Sequence, residues 1–558
     1  MADLIAQLRA AGVPRGGFVG LTIGIPGAGI AVADRSWVLP GWTAELAQAD
    51  AELRPRWVLW SGATSAALVA GGVRLATCWD IAAVHRLLFG GWRADPGRVW
   101  ALLRRLPLSG MPEDDLFGMS ADGDADDPVG PDGYLRPEWV NGDWAEHPDA
   151  WAGLALRVAA MQQSQLDGDR PVATARSEST AELLCAELAA DGLPMDRAVC
   201  EDVLEGLIGH RPQGEADALA LRAARDELVL RHLPAGVHAD LRSNGQVRSM
   251  LARLGVDVPD TRAGRLQEHA AKHPVVGALL EWRKAERIAT TYGYGWLDEH
   301  LGADGRLRGS WTGSDGAAGR MTASDGLHNM PSVLRRAVVA RPDHVFVRAD
   351  LGQIEPRVLA AVSGDRALAE ATSADDLYAP VAAQLAVERP VAKVAVIAAM
   401  YGQTTGHGAA ALRRLNAAYP VAMSYLSRAD ESGQAGQDLR TYGGRLISMA
   451  RLRDGEQTPA RAAGYGRYAR NALIQGAAAE LFKVWAVTVR ARAAPAGGQV
   501  VLCLHDELLV HCPAGQAPAV AAVVDACLQE AAARWAPRSG VRFVSSTSVV
   551  RCWADAKG

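Results

Sequence analysis

Three separated segments carry residue types and spacings that could do chemistry on a charged substrate. In VFVRADLGQIEPRVLAAVSGD, residues 345–365, an apolar run leads into Asp350, and a helical pattern beginning near Gly352 carries Gln353, Glu355 and Arg357. A carboxylate leaving the core at a strand end suits a metal ligand, although the same position is also an ordinary helix N-cap. In QVVLCLHDELLVHC, residues 499–512, His505, Asp506 and Glu507 interrupt two apolar runs, as the acidic tip of a hairpin would. Such a tip can be plain exposed turn. Two carboxylates from different strands at one sheet rim, however, could hold two Mg²⁺ ions about 3.5–4 Å apart, able to activate a nucleotide 3′-OH and neutralise a triphosphate. In RPVAKVAVIAAMYG, Arg389, Lys393, Ile397 and Tyr401 recur every four residues, which puts them on one helical stripe. The arginine as a fork and the lysine as a point charge and proton donor could grip a triphosphate, with the apolar residue and the ring as a base platform. A solvated cationic helix end is the alternative. Lysine usage tilts against it: only five of 58 basic residues are lysine, so a surface needing charge alone would have used arginine.

The elements that must position these residues follow from periodicity. Residues 1–108 alternate short apolar runs (GFVGLTIGI, IAVAD, RWVLW) with helical stretches, a small α/β domain. Residues 112–149 hold 12 acids against the single base Arg136 and read as a solvated loop or linker. From about 150 to 300 the pattern is amphipathic helix, and beyond 300 short β-like runs alternate with long helices. With 558 residues, several domains are expected. At 49% hydrophobic and 22% charged, the composition excludes a disordered or fibrous chain. Net charge is −5, of which residues 1–150 supply −7, so the remainder sums to +2 and a basic cleft is compatible with it. Seven cysteines without a CxxC pair fit reduced thiols rather than a disulfide frame or zinc site. No signal pattern and no membrane span are expected.

In order, the three segments resemble motifs A, B and C of the family A DNA polymerases, the bacterial DNA polymerase I type. DLGQIEPR stands where the family has DYSQIELR, RPVAKVAVIAAMYG where it has RxxxKxxxFxxxYG, and His505-Asp506-Glu507 where it has HDE. GRMTASDGLHNMP at 319–331 is similar to GRLSSTDPNLQNIP, one residue shorter, RYARNALIQG at 467–476 to RAAINAPMQG, and the terminal CWADA to NWDxA. The resemblance covers about 280–556, and the chain most resembles the shorter polymerase I-like proteins of actinobacterial type.

This resemblance implies an α/β multidomain fold: a right hand of palm, fingers and thumb after a degenerate RNase H-like 3′–5′ exonuclease domain. The expected boundaries are 1–150 for the exonuclease-like domain with its acidic linker and 151–310 for thumb and start of palm. Palm then covers 311–370, fingers and return helix 371–480, and palm again 481–558. Asp350 and Asp506 would hold two Mg²⁺ ions, with Glu507 as a supporting acid. Lys393 would protonate the leaving pyrophosphate, and Arg389 and Gln353 would bind the triphosphate. Glu355 would occupy the gate that collides with a ribose 2′-OH, with Ile397 beside the sugar and Tyr401 closing the base-pair pocket. Arg320, Asn329, Arg467, Asn471, Gln475 and His505 would contact primer and template.

Departures accompany the match. Ile397 replaces the motif B aromatic residue, the family's nearby Asn is missing, Pro356 follows the gate where Leu is usual, and Tyr378 stands for the fingers histidine. The Asp-x-Glu that begins an exonuclease site is absent, as is the later Tyr-x-x-x-Asp, so proofreading is not expected; nor is a 5′-nuclease domain, for which the assigned segments leave no chain. The expected protein is a monomeric, cytoplasmic, template-directed polymerase acting on primer–template DNA and deoxynucleoside triphosphates in DNA replication or repair. The alternatives are a non-catalytic primer–template binder and a polymerase of relaxed sugar selectivity.

Overall fold

The computed structural model describes residues 3–112, 127–234, 236–402, 409–450 and 458–556, so much of the acidic stretch 112–149 lies outside the described residues. Contacts divide the chain into two compact units. The first comprises Met1–Gly192, Ser310–Ala323 and Pro342–Val550, and the second Leu193–Gly309, Ser324–Arg341 and Arg551–Gly558.

In the first unit, β1 (Phe18–Ile23), β2 (Ala28–Val32), β3 (Arg35–Leu39), β4 (Arg56–Leu59) and β5 (Cys78–Asp80) form a sheet of order β3-β2-β1-β4-β5. β1 pairs antiparallel with β2 and parallel with β4, so one edge is a meander and the other is built by crossovers. The near-continuous apolar runs of β1 and β2 are explained by burial on both faces. The helices Pro148–Ser164 and Asp169–Asp191 lie on this sheet. Trp60 stacks on Trp151 with ring centroids 4.4 Å apart, Trp79 Nε1 donates to Gln162 Oε1 at 2.9 Å, and Cys78 Sγ donates to the Ser179 carbonyl at 3.2 Å. The contact division after Gly192 thus falls two helices beyond the expected boundary at 150, because those helices bury their apolar faces against strands far earlier in the chain.

The second unit contains β6 (Leu193–Pro194) paired with β7 (Arg306–Leu307), and the helices between them. Its core gathers Val229, Val247, Leu251, Leu266, Val276, Leu279 and Trp282. The C-terminal Trp553 lies 4.1 Å beneath the Arg335 guanidinium.

Returning to the first unit, β8 (Trp311–Asp315) and β9 (Arg320–Ala323) form a hairpin. β10 (His344–Leu351) is central in a four-stranded sheet, and β11 (Leu439–Arg440) pairs with β12 (Leu446–Ile447). β13 (Gln499–Leu504), β14 (Glu507–Pro513) and β15 (Ser545–Val550) complete the larger sheet in the order β13-β14-β10-β15. Its apolar side packs on the helices Pro459–Ala493 and Ala517–Trp535 through Val347, Leu481, Trp485, Val489, Val510 and Leu528. The helical stretch Pro459–Ala496 is long and apolar enough to cross a membrane by length and composition, but 83% of its most apolar window is buried inside the protein. Helices between 354 and 434 share a separate core of Leu359, Leu377, Val381, Val396, Met400, Met423 and Leu426.

Beneath the β8–β9 hairpin sits an ionic cluster. Glu178 accepts from Lys483 and Arg445 at 2.5 Å each, and all three side chains are at most 3% exposed. Lys483 Nζ also donates to the carbonyls of Gly313 at 3.1 Å and Gly319 at 2.6 Å. Glu480 accepts from the Thr441 hydroxyl and from Gly443 N at 2.8 Å. All seven cysteines are free thiols, six of them buried.

Candidate active site

Pairing register brings the two acid-bearing segments together. In the antiparallel β10–β14 pair, Asp350 stands opposite Glu507, and Leu351 N donates to the Asp506 carbonyl at 2.9 Å. His505 and Asp506 form a two-residue hairpin loop, and His505 takes φ 52°, the left-handed conformation that short hairpin loops demand. Burial and the neighbouring Asp350 carboxylate push Asp506 up to about 6, with Glu507 adding to the rise and Arg348 opposing it. Holding two carboxylates this close costs free energy that a bound cation would recover.

Glu507 does not stand free beside that pair. Arg348, 8% exposed, donates from Nε to Glu507 Oε1 at 2.8 Å and from Nη2 to Asp350 Oδ2 at 2.6 Å. Arg348 is a site residue that the sequence reading missed. Its position two residues before Asp350 on an apolar strand was the available signal.

Among the described residues no group of three or more His, Cys, Asp or Glu side chains is arranged to hold a metal. The donor set nevertheless fits Mg²⁺, which is commonly held by one or two carboxylates and completed by water and substrate phosphates.

Gln353 also takes a positive φ, 48°, immediately before the helix Ile354–Ser363. Its Oε1 accepts from Leu377 N at 3.1 Å and Arg357 Nη2 at 3.3 Å, so this oxygen braces the loop before the helix Tyr378–Leu385. Arg357, fully buried, donates to the carbonyls of Gly352, Thr372, Ala374 and Asp375 and is a structural strut, not a presented side chain. Burial raises the Glu355 carboxyl, and the Tyr401 hydroxyl, donating to its Oε2 at 3.2 Å, opposes that rise.

The helix Arg389–Tyr401 carries the cationic stripe as expected, opened by Pro390 in its first turn. Gly402 ends it at φ 69°, where a Cβ would also meet Arg467 Cγ at 2.8 Å. Arg389 pairs with Asp376 and sits 5.8 Å from the Tyr378 ring centroid, contacts invisible in the helical spacing. Lys393 is exposed and makes no ion pair with any described residue, and Ile397 is half-buried against the 354–434 core.

Arg467, Asn471 and Gln475 step by four residues along the Pro459–Ala493 helix, and Arg320 Nη2 donates to Gln475 Oε1 at 2.9 Å. A cavity of about 90 Å³ is lined by Arg320, Glu355, Gln475, His505 and Asp506 over an apolar floor that includes Leu351, Ile354 and Phe482. Five candidates from four separate segments therefore share one cleft. Asn329 belongs to the second unit, where its carbonyl accepts from the Tyr292 hydroxyl at 2.7 Å and Arg287 at 3.2 Å.

The sequence profile described as DNA polymerase family A matches residues 231–555. DNA polymerase theta of Caenorhabditis elegans is 28% identical over 57% of this chain and 21% of its own length. DNA polymerase I of Chloroflexus aurantiacus is 31% identical over 50% of this chain and 34% of its own. The thermostable DNA polymerase I of Thermus aquaticus is 26% identical over 70% of this chain and 50% of its own. The chain thus spans half or less of these relatives' lengths. The POL domain of Pol1 from M. smegmatis, solved in complex with DNA primer-template and dNTP, superposes with a TM-score of 0.71 at 20% identity, covering 100% of this chain and 99% of that one. That likeness shows a shared fold.

Proposed function

Because the chain belongs to DNA polymerase family A, we propose that it is a template-directed DNA polymerase that extends a primer 3′-OH with deoxynucleotides by two-metal phosphoryl transfer. The observation that carries this reading is the cleft in which Arg320, Glu355, Gln475, His505 and Asp506 meet, with Asp350 on the adjoining strand. In this reading the β13-β14-β10-β15 sheet is the palm, the helices between 354 and 434 are fingers, and the helices of the second unit are the thumb. The five-stranded sheet is an exonuclease-like domain without its catalytic acids.

Asp350 and Asp506 would hold two Mg²⁺ ions, which supply Lewis-acid activation of the primer hydroxyl and neutralise the triphosphate. Every other contribution comes from side chains that position or compensate charge. Lys393, exposed on the stripe, gives its proton to the leaving pyrophosphate oxygen. Arg389 swings from Asp376 to the triphosphate, a short exchange between two anionic partners. Glu355, fixed by Tyr401, blocks the space of a 2′-OH. Arg320, Gln475, Asn471 and Arg467 line the cleft along the primer–template, and Asn329 contacts DNA from the second unit. The protein works as a monomer in the cytoplasm, in DNA replication or repair.

The test is primer extension on a primed template with Mg²⁺ and deoxynucleotides. Asp350→Asn and Asp506→Asn should each lower the rate by several orders of magnitude, since one carboxylate cannot hold the pair of ions. Extension near the wild-type rate by either variant would refute the site. Retained primer–template binding with no extension by the wild type would favour a non-catalytic binder.

A further inference from the structure

Arg348 and Asp350 lie two residues apart on β10, so their side chains leave the same face of the strand. Register places Glu507 opposite Asp350, and the rigid guanidinium fork reaches both carboxylates, at 2.6 Å and 2.8 Å. The Arg348 side chain is 8% exposed and Glu507 9%, against 35% for Asp350, so the arginine is fixed from the buried side while Asp350 keeps an open side. A resident monovalent cation therefore already holds one oxygen of a carboxylate assigned to a divalent ion. One guanidinium faces the three carboxylates of Asp350, Asp506 and Glu507. Removing its charge would leave a cluster that attracts cations strongly. Keeping it repels them until further anionic ligands arrive.

We propose that Arg348 is a positioning residue that sets the divalent-cation affinity of the Asp350–Asp506 pair. It fixes the orientation of Asp350 and keeps the pair weakly loaded until the triphosphate contributes its own oxygens. The inference rests on the reading of Asp350 and Asp506 as metal ligands. Repulsion between charges a few ångströms apart at a partly buried site comfortably exceeds the energy of a tenfold change in affinity.

The experiment is Mn²⁺ titration of the full chain without nucleotide, with free Mn²⁺ read by its paramagnetic resonance and thermal melts run in parallel. The proteins are wild type, Arg348→Gln, Arg348→Lys and Asp350→Asn. Arg348→Gln should bind Mn²⁺ about tenfold tighter at the sites that Asp350→Asn removes. Arg348→Lys, which retains the charge but not the fork, should stay within about threefold of wild type. Addition of a non-hydrolysable deoxynucleoside triphosphate should shrink the difference between wild type and Arg348→Gln. If Arg348→Gln melts poorly because Glu507 is left unpaired, Arg348→Met combined with Glu507→Gln takes its place, and it should bind tighter than Glu507→Gln alone. Unchanged or weaker Mn²⁺ binding on loss of the charge overturns the proposal, as does equally tightened binding by Arg348→Lys. A wild type and variants with no Mn²⁺ site sensitive to Asp350→Asn would overturn the metal reading itself, a result distinct from failure of the role of Arg348.

Discussion

Ile397 is the departure from the family pattern closest to the proposed chemistry. It lies on the same helix as Lys393 and Tyr401, half-buried, and Tyr401 is in turn hydrogen-bonded to Glu355. A branched aliphatic chain is smaller than Phe and offers no ring face, so a pocket beside the sugar should be looser. A lost packing contact is worth only ~1–3 kcal/mol, so discrimination should change by about 10–200-fold. Ile397→Phe is therefore expected to raise the ratio of kcat/KM for deoxy- over dideoxynucleotides. An unchanged or lower ratio would show that Ile397 does not face the sugar. Local patterns were legible in the sequence: the strand end at Asp350, the hairpin tip at Asp506 and the helical stripe through Lys393 lie where the apolar period and turn residues put them. Residues that act through a distant partner were not. Arg348 reads as an odd charge in a strand until β10 pairs with a strand 159 residues later. Arg389 reads as a free triphosphate fork until Asp376 is placed against it.

At the scale of elements, the long helix Pro459–Ala493 joins the proposed cleft to the interior. Gln475 faces the cavity, while Glu480 and Lys483, one to two turns on, are buried in the ionic cluster with Glu178 and Arg445. The rarity of lysine was used as a sign of chemistry at 393, yet Lys483 shows lysine chosen for a structural reason. A compact ammonium there reaches the carboxylate of Glu178 and the carbonyls of Gly313 and Gly319 together. Lys483→Met leaves Glu178 short of one partner in a dry interior and should destabilise the protein by about 3–5 kcal/mol, read as a fall in denaturation midpoint.

Glu480 gives a pH signature. Burial, the largest influence, raises its carboxyl to about 7. Its folded pKa exceeds the unfolded value, so the native state binds the extra proton. The resulting stabilisation is fully present below the unfolded pKa and is lost as pH rises through about 7. Relative to wild type, Glu480→Gln should therefore gain stability between pH 5 and 8, by no more than ~1.4 kcal/mol per pH unit. A wild-type-minus-variant difference that is flat over that range would show that Glu480 does not titrate there. Strand and helix positions near the cleft were legible because apolar period and turn residues are local signals. Strand order was not, since β14 and β15 flank β10 only through pairing across the chain.

At the scale of the whole molecule, the first unit is assembled from three stretches of sequence, and its N-terminal part is not a separable bead. Composition suggested a boundary at 150 because the acidic stretch before it reads as linker, and composition cannot report which helices a sheet will claim. If the five-stranded sheet is an exonuclease-like domain without its acids, a 3′-mismatched labelled primer should keep its length with Mg²⁺ or Mn²⁺ and no nucleotides. Shortening that co-elutes with the protein through successive columns would sink that idea. Two buried acids of this part make structural contacts. Asp80 caps the helix Ile81–Phe89 through Ala83 N at 2.8 Å, and Asp50 accepts from Trp57 Nε1 and Ala76 N, both at 2.9 Å.

The N-terminal part supplies surface that the remainder of the first unit packs on. Arg490 of the long helix donates to Glu187 Oε1 at 2.6 Å and to the carbonyls of Leu75 at 2.7 Å and Ala76 at 3.2 Å. Asp191 accepts from Arg74 Nη2 at 2.6 Å and Gln499 Nε2 at 2.6 Å, so one carboxylate ties the N-terminal part to the start of β13. Removing residues 1–150 would strip Trp151, Leu154, Val158 and Leu183 of the partners that bury them. Each such side chain is worth roughly 1.5–3 kcal/mol when buried, and together they approach the whole stability of a typical domain, about 5–15 kcal/mol. The truncated chain should accordingly melt far below the full chain or fail to give a cooperative transition, and its primer extension should fall with its folded fraction. Full-length protein carrying only Arg490→Ala should show a smaller loss of the same kind, because it breaks one tie and leaves the apolar contact intact. A truncation that melts and extends primers like the full chain would mean that the two helices find another cover, and that the N-terminal sheet is dispensable to the fold.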